Sequence, residues 1–169
     1  MPRATHPTAR RWAPTDRRLV VVDIENIAGS SAATPAQVAE AMRVIDEVVG
    51  HHEPDVWVYA AGIRLLRSAM RVLPATGLLV GGGVDGADRR LVETLDPEAV
   101  VGRYAEVVLA SGDGRAFIEP IVALRRRGVP TDVVSRVDST SHALRAAARR
   151  WVPLASSMFA AGAATSTAA

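Results

Sequence analysis

Apolar positions along the chain alternate between short continuous runs and helical spacing. Leu19-Val20-Val21-Val22 is a β-branched run that predicts a strand buried on both faces and ending at Asp23. Thr34-Pro35 then supplies an N-cap and a first-turn proline, Val38, Met42, Ile45 and Val49 recur at helical spacing, and Gly50 stands at the C-cap, which together predict a helix. Further on, the pattern predicts strands over Asp55 to Ala61, Gly77 to Val80, Glu106 to Ala110 and Thr131 to Val134. Between them it predicts helices over Ile63 to Leu73, closed by Pro74, over Asp88 to Leu95, and over Phe117 to Arg127, closed by Gly128. Ser139 or Ser141 is placed to cap a last helix reaching Arg150. Strands alternating with helices imply a parallel sheet covered on both faces, because parallel neighbours need crossover connections.

The two ends lack such periodicity. Residues 1–17 hold three prolines and are expected to be a flexible basic arm, residues 18–152 one folded domain, and residues 153–169 a largely disordered tail. A chain of 169 residues that is 49% hydrophobic can bury one sizeable core. All 20 basic side chains are arginine, and there is no lysine and no cysteine. Schiff-base chemistry, a Walker-type phosphate lysine, thiol nucleophiles, thiolate metal sites and disulfides are therefore excluded. No stretch approaches the roughly 18 uninterrupted apolar residues of a membrane helix, so no membrane association is expected and a cytoplasmic location is. The net charge of +2 is uneven: residues 1–18 carry five arginines against Asp16, and the rest is slightly acidic. Such an arm suits weak attraction to a polyanion, or is simply a solvated terminus.

Ligands of open parallel α/β sheets bind beyond the carboxyl ends of the strands. Asp23 ends the first strand, Asp85 and Asp88 follow the third through Gly81-Gly82-Gly83, and Asp113 follows the fourth within Ser111-Gly112-Asp113-Gly114. If the first and fourth strands are neighbours, these acids converge. Close carboxylates raise one another's pKa unless a cation is present, and an all-oxygen donor set suits Mg²⁺ or Mn²⁺ and fits zinc poorly. Such an ion can polarise a phosphoryl oxygen and activate water. Taken singly, an aspartate after a strand is more often a helix cap.

Val21-Val22-Asp23-Ile24-Glu25-Asn26-Ile27 resembles the opening D-x-x-N motif of NYN domains. Gly83-Val84-Asp85-Gly86-Ala87-Asp88 is similar to the family's middle acidic motif, Leu109-Ala110-Ser111-Gly112-Asp113-Gly114 with Phe117 to its SGDGDF segment, and Gly128 to Ser135 to its last core strand. The resemblance implies a PIN-like three-layer α/β/α sandwich, a five-stranded parallel sheet of order 3-2-1-4-5, and ribonuclease activity dependent on Mg²⁺ or Mn²⁺. It implies Asp23, Asp88 and Asp113 as metal-binding catalytic acids, with Asn26 and Ser111 supporting the site or touching phosphate. Arg115 departs from the pattern, standing where the family often has a second aspartate; it either lowers metal affinity or grips phosphate, and Asp85 is the candidate fourth acid. The expected partner is RNA, single-stranded or structured. The rival expectation is a catalytically weak NYN-fold module that binds RNA or protein.

Other features read as structural. His51-His52 and Arg125-Arg126-Arg127 fall at helix C-termini, where cations are favoured, and Trp57 and Phe117 lie on apolar segments expected in the core. Arg64, Arg67 and Arg71 share a helical face that could meet phosphates, and Gly81-Gly82-Gly83 lacks the spacing of a dinucleotide site. With aromatics at 4%, no base-stacking platform is evident.

Overall fold

The computed structural model describes residues 17–162, so the expected arm at 1–17 lies outside the described residues except for Arg17, as do residues 163–169. The central strand is β1 (Arg18–Asp23), flanked by β2 (Val56–Gly62) and β4 (Glu106–Ala110). One edge is β3 (Leu78–Gly81); beyond β4 lie β5 (Thr131–Arg136) and β6 (Arg150–Leu154), giving a six-stranded sheet of order 3-2-1-4-5-6 in which every pairing is parallel.

Strand periodicity distributes the core. Val20 and Val22 point into one apolar layer with α1 (Ile24–Ala28), α2 (Pro35–Val49) and α3 (Leu66–Val72), while Leu19 and Val21 point into the other. That second layer is built by α4 (Gly86–Thr94), α5 (Pro97–Val100), α6 (Gly114–Arg126) and α7 (His142–Ala147). All four apolar side chains of β1 are at most 1% exposed, which accounts for a run with no polar alternation; each such burial contributes about 1.5–3 kcal/mol. The helix predicted from Thr34 forms with a full capping box, Thr34 Oγ1 accepting from Gln37 N and Gln37 Oε1 accepting from Thr34 N.

The structure corrects the expectation at the carboxyl end. The last helix stops at Ala147, and Arg150–Leu154 adds a sixth strand to the five expected, pairing with β5 from Asp132↔Arg150 to Arg136↔Leu154. Residues assigned to a disordered tail from 153 thus begin inside a strand, and Ser156–Gly162 continues as a 3-10 helix. Met158 and Phe159 pack on the first core layer, and Arg43 Nη2 donates to the Met158 carbonyl at 2.9 Å. Pro153 is tolerated because β6 is an edge strand, where one missing donor is harmless.

Candidate functional site

The chain runs from β1 to β2 and β3 on one side and then returns to β4 on the other, so the switch point of the sheet lies between β1 and β4. Asp23 ends β1 there, and continuing the alternation of Leu19 and Val21 turns its side chain toward the layer of α4 and α6. It is 4% exposed and is the N-cap of α1: Oδ1 accepts from Asn26 N at 3.1 Å, and Oδ2 accepts from Ser111 Oγ at 2.9 Å. Ser111 Oγ in turn accepts from Asp113 N at 3.2 Å, and Asn26 Oδ1 accepts from Gly112 N at 2.8 Å. The loops after β1 and β4 are thereby tied together through the polar groups of the two motifs. A side chain on Gly112 would meet the Ser139 backbone, so that position must be glycine for the loops to approach.

Burial pushes the Asp23 carboxyl from its ordinary 3.8 up to about 7, with repulsion from Asp88 and Glu25 adding to the rise against the hydrogen bonds from Asn26 and Ser111. Asp88, in the first turn of α4, is pushed up to about 6 by burial and then by repulsion from Asp113, Asp85 and Glu25, partly offset by Arg115. Asp113 is the N-cap of α6, accepting from Arg115 N at 2.8 Å. Asp85 precedes α4 in the left-handed region at φ 53, without capping the helix through its side chain, and accepts from Arg115 Nη2 at 3.3 Å. The Arg115 side chain is turned toward the acids and forms an exposed ion pair with Asp85.

Glu25 was not singled out from the sequence. Its Oε1 accepts from Gly62 N at 3.0 Å, bridging α1 to the end of β2, and its charge bears on both Asp23 and Asp88. Its signal was present, two residues after Asp23 in the same first turn, but only the packing of β2 beside β1 shows where it faces.

Asp23, Asp88, Asp113, Asp85 and Glu25 therefore share the carboxyl end of the sheet, but they do not form a finished ligand cage. Among the described residues, no group of three or more acidic or histidine side chains is arranged so that it could hold a metal ion as it stands. Asp23 and Asp113 each commit an oxygen to a helix cap, and uncompensated carboxylates repel. In kind the donors fit a hard divalent cation: all are oxygens, and two of them resist ionisation in its absence.

The discounted motifs lie elsewhere. His51 stacks on Trp57 at 4.4 Å and pairs with Asp46 near the amino end of β2; Arg127 pairs with Glu98. Phe117 is fully buried in the core as expected, whereas Trp57 is only half-buried against it.

Among the described residues, no helix is long and apolar enough to cross a membrane. No curated protein matches the chain. A solved structure of a protein of unknown function from Vibrio parahaemolyticus is similar in fold, with a TM-score of 0.52 and 18% identity over 83% of this chain and 94% of that one. The sequence pattern of the NYN domain, a PIN-like nuclease-type fold whose members typically use divalent metals, matches residues 17–155, and the chain belongs to the NYN domain family.

Proposed function

We propose that this protein is a metal-dependent ribonuclease whose Asp23, Asp88 and Asp113 hold Mg²⁺ or Mn²⁺, with Asp85 as a further donor. The observation that carries the reading is a set of mutually repelling acids at the switch point, two of them with carboxyls raised to about 7 and about 6, where a cation would relieve an electrostatic cost. A divalent ion bound there would supply Lewis-acid polarisation of a phosphoryl oxygen and an activated water. The chain's own groups prepare the place. Ser111 and the Asn26 backbone N–H orient Asp23, and Asn26 Oδ1 fixes Gly112 and hence the start of α6. Asp88 and Asp113 enter on the first turns of α4 and α6, and Arg115 is positioned to grip phosphate once released from Asp85.

One observation favours a second reading, a catalytically weak module that binds RNA or protein: Arg115 pairs with Asp85, a candidate ligand. Purified protein incubated with labelled single-stranded RNA and DNA in Mn²⁺, Mg²⁺ or EDTA separates the two. Cleavage of RNA that needs the metal and disappears in Asp23→Asn supports the nuclease; RNA binding without cleavage in any metal supports the module.

A further inference from the structure

A crevice of about 640 Å³ opens beside the acids, between the loops after β2 and β3. Its lining includes Glu25, Asp85 and Asp88, with Arg64 and the two apolar residues Ile63 and Val84. These last two are the most exposed of the large apolar side chains among the described residues, Ile63 at 65% and Val84 at 85%, and they line the same crevice. Val84 is not at the tip of a loose loop. A side chain on Gly81 or Gly86 would collide with the other's backbone, so the loop is pinched shut at its base. Arg89 Nη2 donates to the Gly82 carbonyl at 3.3 Å and to the Val84 carbonyl at 3.5 Å, and the next residue, Asp85, holds a left-handed φ of 53. Backbone strain of this kind persists only where the surroundings over-determine it. Ile63 lies along the same loop, its Cδ1 about van der Waals distance from where a Gly82 side chain would begin.

Charge identifies the occupant. Arg64 lines the crevice, and Arg67 and Arg71 continue from it along α3; among the described residues these three make no hydrogen bond or ion pair. Most other arginines of the fold are engaged, for example Arg18, Arg43, Arg127, Arg149 and Arg150. Apolar side chains held in water next to unpaired guanidiniums match a group with a flat apolar face joined to phosphates, while Asp85 and Asp88 on the same crevice belong to the candidate metal site. The geometry points to a nucleotide subsite: the base of one unstacked nucleotide of a single strand rests against Ile63 and Val84, Arg64 takes a flanking phosphate, and Arg67 and Arg71 carry the strand away over α3. A crevice of this size falls within the usual range of small-ligand pockets. The subsite deepens the nuclease reading by giving it a substrate class, single-stranded rather than paired nucleic acid, since a base must leave its stack to enter.

The test uses the full chain with Ca²⁺ in place of Mg²⁺ or Mn²⁺, so that the acids of the crevice are compensated, and an intact probe after incubation shows that binding is read without cleavage. Its probes are a fluorescein-labelled ten-nucleotide oligouridylate and an abasic ribose-phosphate oligomer of the same length. Ile63→Ser with Val84→Ser should weaken binding of the oligouridylate about tenfold and leave the abasic oligomer within twofold, because only the base meets the apolar pair. Arg64→Gln should weaken both and reduce the salt slope of binding by roughly 0.7, the loss of one single-strand phosphate contact. Both variants alter exposed positions, and a melting curve checks that the fold survives. Unchanged oligouridylate binding in the double variant, or equal loss for both probes, overturns the subsite while leaving metal-dependent cleavage standing. A wild-type chain that binds neither probe overturns the subsite and the nucleic-acid reading together.

Discussion

The two ends of the sheet treat their aspartates in opposite ways. At the amino end, the shielded carboxylate of Asp55 accepts from Arg18 and from His52 N, and Asp132, 1% exposed, accepts from Arg149 Nε at 2.7 Å and Arg150 Nη2 at 2.7 Å. Burial raises both acids, but the arginine hydrogen bonds outweigh it and hold them below the usual carboxylate range. At the carboxyl end, Asp23 is buried almost as deeply as Asp132 and is met by a hydroxyl, one backbone N–H and further acids. The opposite shifts have two causes: though solvent barely reaches any of these carboxylates, Asp23 lies deeper among protein atoms, so desolvation weighs more heavily on it, and no guanidinium hydrogen-bonds to it as arginines do to Asp55 and Asp132. A sequence with this many arginines had the means to neutralise Asp23. Among the described residues no arginine pairs with Asp23, and Arg115, at the same end of the sheet, pairs with Asp85 instead.

The contrast is broken or sharpened most strongly by removing an acid from each end. Asp23→Asn or Asp113→Asn should lower RNA cleavage about a thousandfold or more in saturating Mn²⁺, a loss of about 4 kcal/mol of transition-state stabilisation, with the fold retained. Initial rates with a labelled strand measure it, and an activity within tenfold of wild type would end the claim that these acids act together. Stability should respond with opposite signs. Asp132→Ala strands two guanidiniums that are partly solvated already, so about 2 kcal/mol should be lost. Asp23→Asn in EDTA at pH 8 should instead raise the melting temperature, and urea titration of both variants reads the difference.

The pH dependence of wild-type stability should carry both signs in one curve. Asp23 and Asp88 hold a proton more tightly folded than unfolded, so their contribution is full below about 4 and is lost as pH rises through about 6 and about 7, on the order of a few kcal/mol for Asp23. Asp55 and Asp132 are lowered, so theirs is present above about 4 and lost on acidification below it. In EDTA, stability should therefore peak near pH 4 to 5 and decline toward pH 8, and Mn²⁺ should remove the upper decline; a curve identical with and without the metal would argue against binding at these acids. The smallest effect expected is that of Arg115→Ala. Its pair with Asp85 is 78% and 50% exposed, so stability should change by less than about 0.5 kcal/mol, while Mn²⁺ affinity measured by calorimetry should improve a few-fold as Asp85 is released.

Much of this was legible from residue order alone. β1 and β4 appear where their apolar runs lie, because strands buried on both faces have no alternation to obscure them, and α2 carries both of its end signals in Thr34-Pro35 and Gly50. β6 was not legible. Arg150-Trp151-Val152-Pro153-Leu154 has neither the apolar run of a central strand nor a proline-free core, and only an open edge on β5 makes it a strand. Glu25 was missed for a similar reason: its meaning depends on Gly62, distant in the chain and adjacent only through the pairing of β2 with β1.

Sequence by itself determined the alternating parallel architecture, the family, and the three strand ends that carry acids, since periodicity, caps and short ordered motifs are local properties. Tertiary structure alone decided the electrostatic state of those acids. Whether a carboxylate is met by a guanidinium, a hydroxyl or another carboxylate depends on which loops the sheet order brings together, and desolvation depends on what the helices cover; neither can be read from neighbours in the chain.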